Sequence, residues 1–488
     1  MMFEDFSFPK KGQAEAFWLS QKILGEVNSR FNYYFSELIY RVKFSDSLSP
    51  KKHILRNLNG DILIKIIIFL IKIKTPKNIT DKFDFVINPS FCTFARKPEQ
   101  ELLCNLLELL LQEDFKICVI FRDEIIPRTI KKKLINTNIQ NLSFINPEDD
   151  IESHNKKILK FISKIIAKLD YNYIANLLAQ HKIHLQLSSD LLQTKIYTML
   201  AWFWVARKIE FDIAILRVEW ETYSFPIKET ARWRGKRTIA FQHGVISHTL
   251  DVPVTVSRFL TFGEQSAKFL QVLNQEFSSI TGQTNICNDF RVCGAIIDDI
   301  KIQTNNFEKR TILILDQSVD RAVKFNGLNS QIKALEILLE KLLIQADIDK
   351  VIIRPHPEAK ISDFWICCKN NYPEKLELSH SQFKLEMDIN RSSVAIGLFS
   401  GALAIAAASG LPSYWLRTPD CYHTPDLSCF DEFALSENQI LEDIKQIMSS
   451  EMLYLKRQES TLKVSKVYYN ENKKISLNRN FLNLFLEN

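Results

Sequence analysis

The sequence predicts an α/β protein in which two parallel sheets, each wrapped by helices, follow one another behind an N-terminal helical region. Short apolar runs alternate with helix-length amphipathic segments, the pattern of a sheet covered on both faces. That alternation runs from about residue 80 to 275 and restarts at Thr311, on either side of the polar stretch 301–310 (KIQTNNFEKR), which has linker composition. Length agrees: 488 residues, 46% apolar and 25% charged, can bury the cores of two large domains and exclude disorder, collagen and coiled coil. The expected division is a helical elaboration over 1–80, a first Rossmann-like domain over 81–300 and a second over 301–488, facing each other across a central cleft.

Residues 1–80 are rich in Phe, Ile and Lys, with helical spacing over 17–39. The longest apolar run, residues 62–73 (ILIKIIIFLIKI), contains Lys65 and Lys72 and falls short of the ~18 apolar residues that span a bilayer. It reads as a buried helix or strand, or alternatively as a segment resting on a membrane surface with Lys51, Lys52, Lys74 and Lys77 nearby. In the first α/β half FDFVINP, FKICVIF, LSFINP, FDIAILRVE, RTIAFQHG and SRFLTFG read as strands, and 156–178 and 191–209 as helices. In the second, TILILD (Thr311–Asp316), VIIRPHP (351–357), KLEMD (384–388), SVAIG (393–397) and PSYWL (412–416) read as strands. Between the first two of these lies a helix with Ile332, Leu335, Ile337, Leu338, Leu342 and Leu343 on its apolar side.

A net charge of +6, from 63 basic and 57 acidic residues, gives no ground for a nucleic-acid partner. It would not repel phosphorylated metabolites or an anionic membrane face. Nine cysteines, without a C-x-x-C pair or Cys/His metal spacing, indicate neither a disulfide framework nor zinc, and point to the reducing cytoplasm. The N-terminus lacks the layout of a secretory signal. Only 12 glycines occur, and their crowding from Gly235 onward marks the second half of the chain as the place where tight loops are needed.

Three constellations can carry chemistry. Gln242-His243-Gly244 follows the strand RTIAF, at a strand end where ligands bind in open α/β sheets. The plainer reading is a turn whose histidine satisfies a carbonyl. His248, Thr249 and Asp251 follow on the same loop and suit sugar hydroxyls or a proton. In Arg354-Pro355-His356-Pro357-Glu358 two prolines stiffen the turn, so that Arg354 and His356 project from a rigid frame toward a phosphate. Ser400-Gly401 opens an alanine-rich helix whose free N–H groups make an anion site, with Ser400 as cap or direct ligand. Gln317 and Ser318, after Asp316, stand where a nucleotide phosphate is commonly approached. Arg217, Glu219 and Glu221 share one side of a strand by period two, and either glutamate reads as a general base or as a salt-bridged carboxylate.

Together FQHG, FLTFGEQSAKFL, VCGAIIDD, RPHPE and SGALAIAAASGLP resemble the GT-B glycosyltransferases of bacterial surface polysaccharides. That group includes the capsule polysaccharide biosynthesis proteins and CDP-glycerol glycerophosphotransferases. The resemblance covers about residues 240–420. It implies a GT-B fold and transfer of a sugar from a nucleotide-activated donor, the co-substrate, to a surface polysaccharide or lipid-linked glycan acceptor. No further cofactor is implied. By position it makes His243 the catalytic-side histidine, and Arg354, His356, Ser400 and Gly401 the donor phosphate ligands. Gln242, Gly244, His248, Asp251 and Arg217 then serve the substrate. Relatives place a glutamate in the helix after the S-G turn, whereas LAIAAASG has no carboxylate. No suggestive D-x-D occurs, which fits a metal-independent enzyme. Rival readings are a CDP-polyol phosphotransferase, a UDP-sugar 2-epimerase and a non-catalytic scaffold of a polysaccharide assembly complex. The expected location is cytoplasmic, with peripheral association at the inner face of the membrane.

Overall fold

The computed structural model describes residues 42–44, 82–89, 97–122, 124–134, 137, 139–180, 183–185, 189–217, 219, 223–242, 244–246, 254–281, 284, 286–295, 306–316, 328–356, 361–379, 384–398, 401–418, 425–471 and 475–487. In chain order the strands of the first half are β1 (Val42–Phe44), β2 (Lys82–Asn88), β3 (Ile117–Ile120), β4 (Leu142–Ile145), β5 (Ile183–Leu185), β6 (Glu210–Leu216), β7 (Arg237–Phe241), β8 (Arg258–Thr261) and β9 (Phe290–Val292). Those of the second are β10 (Thr311–Asp316), β11 (Lys350–Pro355), β12 (Leu376–Leu378), β13 (Val394–Gly397), β14 (Ser413–Leu416) and β15 (Ala434–Leu435). Helices α1 (Lys97–Gln112), α2 (Ile125–Lys133), α3 (Ser153–Gln180), α4 (Ser189–Ala206), α5 (Ser224–Trp233) and α6 (Glu264–Thr281) belong to the first half. They are followed by α7 (Leu328–Leu343), α8 (Asp363–Asn371), α9 (Leu385–Asn390), α10 (Gly401–Ala408), α11 (Glu437–Ser449), α12 (Glu451–Tyr468) and α13 (Arg479–Leu486).

Seven parallel strands form the first sheet in the order β4-β3-β2-β6-β7-β8-β9, and six form the second in the order β12-β11-β10-β13-β14-β15. Each sheet starts at its middle, grows to one side, then reverses and grows to the other, the doubly wound Rossmann order. Strand period two divides the apolar residues between the faces. Val86 of β2 joins the core under α3 and α4, while Phe85 and Ile87 join the core under α1 and α2. In β10 the split is Ile312 and Ile314 against Leu313 and Leu315. The expected two-domain α/β fold is therefore present, as parallel sheets covered on both faces.

Two strand expectations fail. KLEMD is the helix α9: its alternation mimics a strand, but Asp388 and Ile389 are buried and Met387 is half exposed, with Leu385 joining the core one turn before Ile389. FDIAILRVE ends as a strand at Leu216. Its partner β2 stops at Asn88, whose carbonyl takes a last ladder bond from the Arg217 N–H at 3.1 Å, and Glu219 lies in a turn. Arg217 and Glu219 thus do not share a strand face. Of residues 1–80 only β1 is described, a strand pairing antiparallel with β5, and residues 62–73 lie outside the described residues.

The halves are tied together by chain that crosses between them. Phe262 and Ala295 of the first half pack in one core with Leu403, Trp415, Phe430 and Tyr468 of the second. Helix α13 returns to the first sheet, where Phe481, Leu482 and Phe485 join its core and Arg237 donates to the carbonyls of Leu486 and Glu487 at 3.0 Å. Gly263 sits where a Cβ would stand 2.6 Å from the Val467 carbonyl oxygen, so only glycine lets the end of α12 approach so closely. No described helix is long and apolar enough to cross a membrane.

Candidate active site at the domain junction

In a doubly wound sheet the crevice opens at the carboxyl ends of the two strands where the order reverses, here β10 and β13. β10 ends on buried Asp316, whose carboxylate accepts the indole N–H of Trp365 in α8 at 2.8 Å. β13 ends on Gly397, where a Cβ would meet Leu403 Cδ2 at 3.3 Å, so the bare backbone lets α10 lie close to the sheet. Helix α10 starts at Gly401, with its positive dipole end at this edge. Beside it β11 ends at Arg354-Pro355, with His356 half-buried just beyond.

Arg354 is held by more than its prolines. Its Nη1 lies 2.6 Å from Oδ2 of Asp388, a fully buried carboxylate that also accepts from Ser379 Oγ at 2.6 Å and from Arg391 at 2.8 Å. Arg391 is shared with Glu377 at 2.9 Å, and the pairing with Asp388 fixes the direction of the Arg354 fork.

In the first domain the loop after β7 is anchored at both ends by the segment that follows β6. At its start, buried Arg217 donates to the Gln242 carbonyl at 3.0 Å. Gln242 is buried too: its side-chain nitrogen donates to Gly244 O at 2.8 Å and Ser266 Oγ at 3.0 Å, and its oxygen accepts from Phe262 N at 2.7 Å. These bonds make Gln242 a builder of the turn. Beyond the loop, Glu219 accepts from the Thr255 N–H at 2.6 Å and from Lys228 Nζ at 2.8 Å. Burial pushes the Glu219 carboxyl up to about 7, against the donors of Thr255, and pushes the Lys228 ammonium well down. A Cβ on Gly244 would meet nothing within 4 Å, so the backbone there faces open space that a ligand can enter.

The two sides meet. Val245 Cγ2 lies 3.9 Å from where a Cβ on Gly401 would sit, placing the loop after β7 against the start of α10. Ile246 N donates at 2.7 Å to Asp426 of the second domain, which also accepts from Ser266 Oγ at 2.6 Å and Tyr468 Oη at 3.1 Å. Asp426 is fully buried, and desolvation pushes its carboxyl up to about 7 in spite of three donors. A continuous chain thus runs Arg217–Gln242–Ser266–Asp426–Ile246 across the junction.

Of the residues expected at the site, Arg217, Gln242, Gly244, Arg354, His356 and Gly401 take these positions, and Glu219 clamps the far end of the loop. His243, Glu221, His248, Asp251, Gln317, Ser318 and Ser400 lie outside the described residues. Sequence reading missed Asp426, Ser266, Thr255 and Asp388. None stands in a motif: Asp426 reads as an ordinary turn aspartate in TPDLS, and Asp388 is hidden by the false strand KLEMD.

No family model and no curated protein matches the sequence. Solved structures do match in overall architecture. UDP-GlcNAc 2-epimerase from Neisseria meningitidis, bound to UDP-GlcNAc, is similar over 84% of this chain and 100% of its own at 13% identity and a TM-score of 0.47. A glycosyltransferase from Rickettsia africae ESF-5 covers the same shares at 12% and 0.43. MurG from Acinetobacter baumannii matches over 78% of this chain and 95% of its own at 11% and 0.39.

Proposed function

We propose that the protein is a glycosyltransferase of GT-B type. It moves a sugar from a nucleotide-activated donor to a cell-surface polysaccharide or lipid-linked glycan acceptor, without a metal, while peripherally associated with the membrane. The observation that carries this reading is the abutment of the loop after β7 on the N-terminus of α10 at the switch point of the second sheet. In this reading the donor diphosphate is held by the α10 N-terminus together with His356 and with Arg354, whose fork is fixed by Asp388. In the reaction the bond from the anomeric carbon to the phosphate oxygen breaks and one to an acceptor hydroxyl oxygen forms. The hydroxyl proton passes to a base, for which His243 is the candidate, and the nucleoside diphosphate leaves. Negative charge growing on the leaving oxygen is met by helix dipole, N–H groups and cationic side chains, all fixed beforehand by the fold. Open backbone at Gly244 gives the acceptor a place beside the donor. Arg217 and Glu219 then act as positioning residues that hold both ends of the acceptor loop.

Thermal shifts with a panel of UDP-, CMP- and CDP-activated donors test donor binding, and product mass tests the chemistry. A transferred sugar adds no phosphorus, whereas a polyol phosphate does. Absence of stabilisation by every nucleotide refutes the donor site.

A further inference from the structure

Helix α3 carries an apolar face that the domain core does not use. Its inward side is complete: Leu159, Ser163, Ile166 and Ala167 are buried against the first domain. On the outer side Ile158, Phe161 and Ile165, spaced by three and four, form one exposed row at 38%, 66% and 39% accessibility. An adjoining row is Lys157, Lys160, Lys164 and Lys168, all exposed. From Ser153 to Leu169 the helix contains no carboxylate. Asp170 follows Leu169 in the same helix, and Glu148, Asp149, Asp150 and Glu152 precede the helix and sit by its positive dipole end. Lys160 Nζ also stands 5.7 Å from the Tyr197 ring of α4, which holds that lysine against the surface.

We infer that this face docks on an anionic lipid surface, with Phe161 at the boundary of headgroups and acyl chains and the lysine row on the headgroups. The pairing of an exposed aromatic-aliphatic stripe with an uninterrupted cationic row is what an interfacial helix requires. A second copy would set like charges against each other. The chain's own residues 1–81 are also disfavoured as a cover, since they carry 13 Lys or Arg against eight Asp or Glu and so share the sign of the lysine row. The docking surface starts, with α3, at the carboxyl end of β4, the same edge of the sheet from which the loop after β7 departs. Its purpose rests on the transferase reading; its physical test does not.

Sedimentation of the full chain with vesicles of phosphatidylcholine, with and without phosphatidylglycerol, decides the matter. Expected is binding to the anionic vesicles only, weakened by salt. Binding should fall on the order of tenfold or more in Phe161→Ser and in the triple variant Lys157→Glu, Lys164→Glu, Lys168→Glu. These side chains are exposed, and an unchanged unfolding midpoint checks that each variant folds. Equal binding to neutral vesicles, binding to neither, or full binding by the variants overturns the inference. A Phe161→Trp variant supplies a second reading: its difference emission should be that of a wet indole in buffer and blue-shift on anionic vesicles. A blue-shifted emission before lipid is added means that the chain itself or a second copy covers the stripe, and also overturns it. Donor binding, measured separately by nucleotide thermal shift, can fail or succeed without touching these outcomes.

Discussion

Replacing Asp426 with Asn tests whether the junction is built as described. The Asp426 carboxyl is buried and titrates at about 7, against an ordinary 3.8, because desolvation outweighs its three donors. Between these values the folded protein holds a proton that the unfolded chain has lost, so stability falls as pH rises through about 7 and levels off above it. From about pH 5.5 to about pH 8.5 the loss works out at about 2 kcal/mol, one and a half pH units at about 1.4 kcal/mol each. Asn mimics the neutral acid: its oxygen accepts from Ile246 N, and its amide donates to Ser266 or Tyr468. The variant, which lacks this titration, should therefore gain about 2 kcal/mol on the parent between the lower and the higher pH. Glu219, pushed to about 7 as well, titrates alike in both proteins and cancels in the difference. Urea unfolding followed by tryptophan fluorescence suits the measurement, since Trp415 stacks on Phe430 at 4.3 Å in the same interdomain core. Asp426→Ala, which strands the donors of Ile246, Ser266 and Tyr468, should cost about 3 kcal/mol or more at both pH values. Parallel pH curves for parent and Asn variant, or a tolerated alanine, would show the reasoning about this junction to be wrong.

Other outcomes follow from the same geometry. Gly263→Ala drives a Cβ into the backbone of α12, so the unfolding midpoint should drop by the equivalent of about 2 kcal/mol, whereas Gly244→Ala should leave it unchanged. Asp388→Ala removes the buried carboxylate shared by Arg354, Ser379 and Arg391, and its loss of stability, about 3 kcal/mol or more, should be accompanied by weaker donor binding in calorimetry. His356→Ala should chiefly weaken donor binding and His243→Ala chiefly lower turnover; the reverse pattern in steady-state kinetics would exchange their roles. If both histidine variants sustain glycan assembly in cells as the parent does, the scaffold reading replaces the catalytic one.

Much of the frame was legible because strand composition is a local signal. Continuous apolar runs such as TILILD become central parallel strands, and the positions of Gly397, Gly401 and His356 follow from where those runs end. Failure came where local pattern and long-range pairing disagree. KLEMD alternates like a strand but has no neighbouring strand to join, and RVEWET loses its partner when β2 ends. Roles were harder than places. Gln242, expected at the substrate, spends its hydrogen bonds on its own turn; Arg217 and Glu219, expected side by side on one strand face, clamp opposite ends of one loop. Such roles depend on partners 24 to 36 residues away, and for Asp426 on partners up to 180 residues away, which no local motif encodes.

Amide hydrogen exchange of the full chain, with and without a nucleotide-sugar, measures the central claim directly. Slowed exchange should appear together at the end of β10, at 354–356, at the first turn of α10 and in 242–246 across the junction. Protection confined to one domain, or absent from the start of α10 while the nucleotide is bound elsewhere, would contradict a donor held between the two sheets.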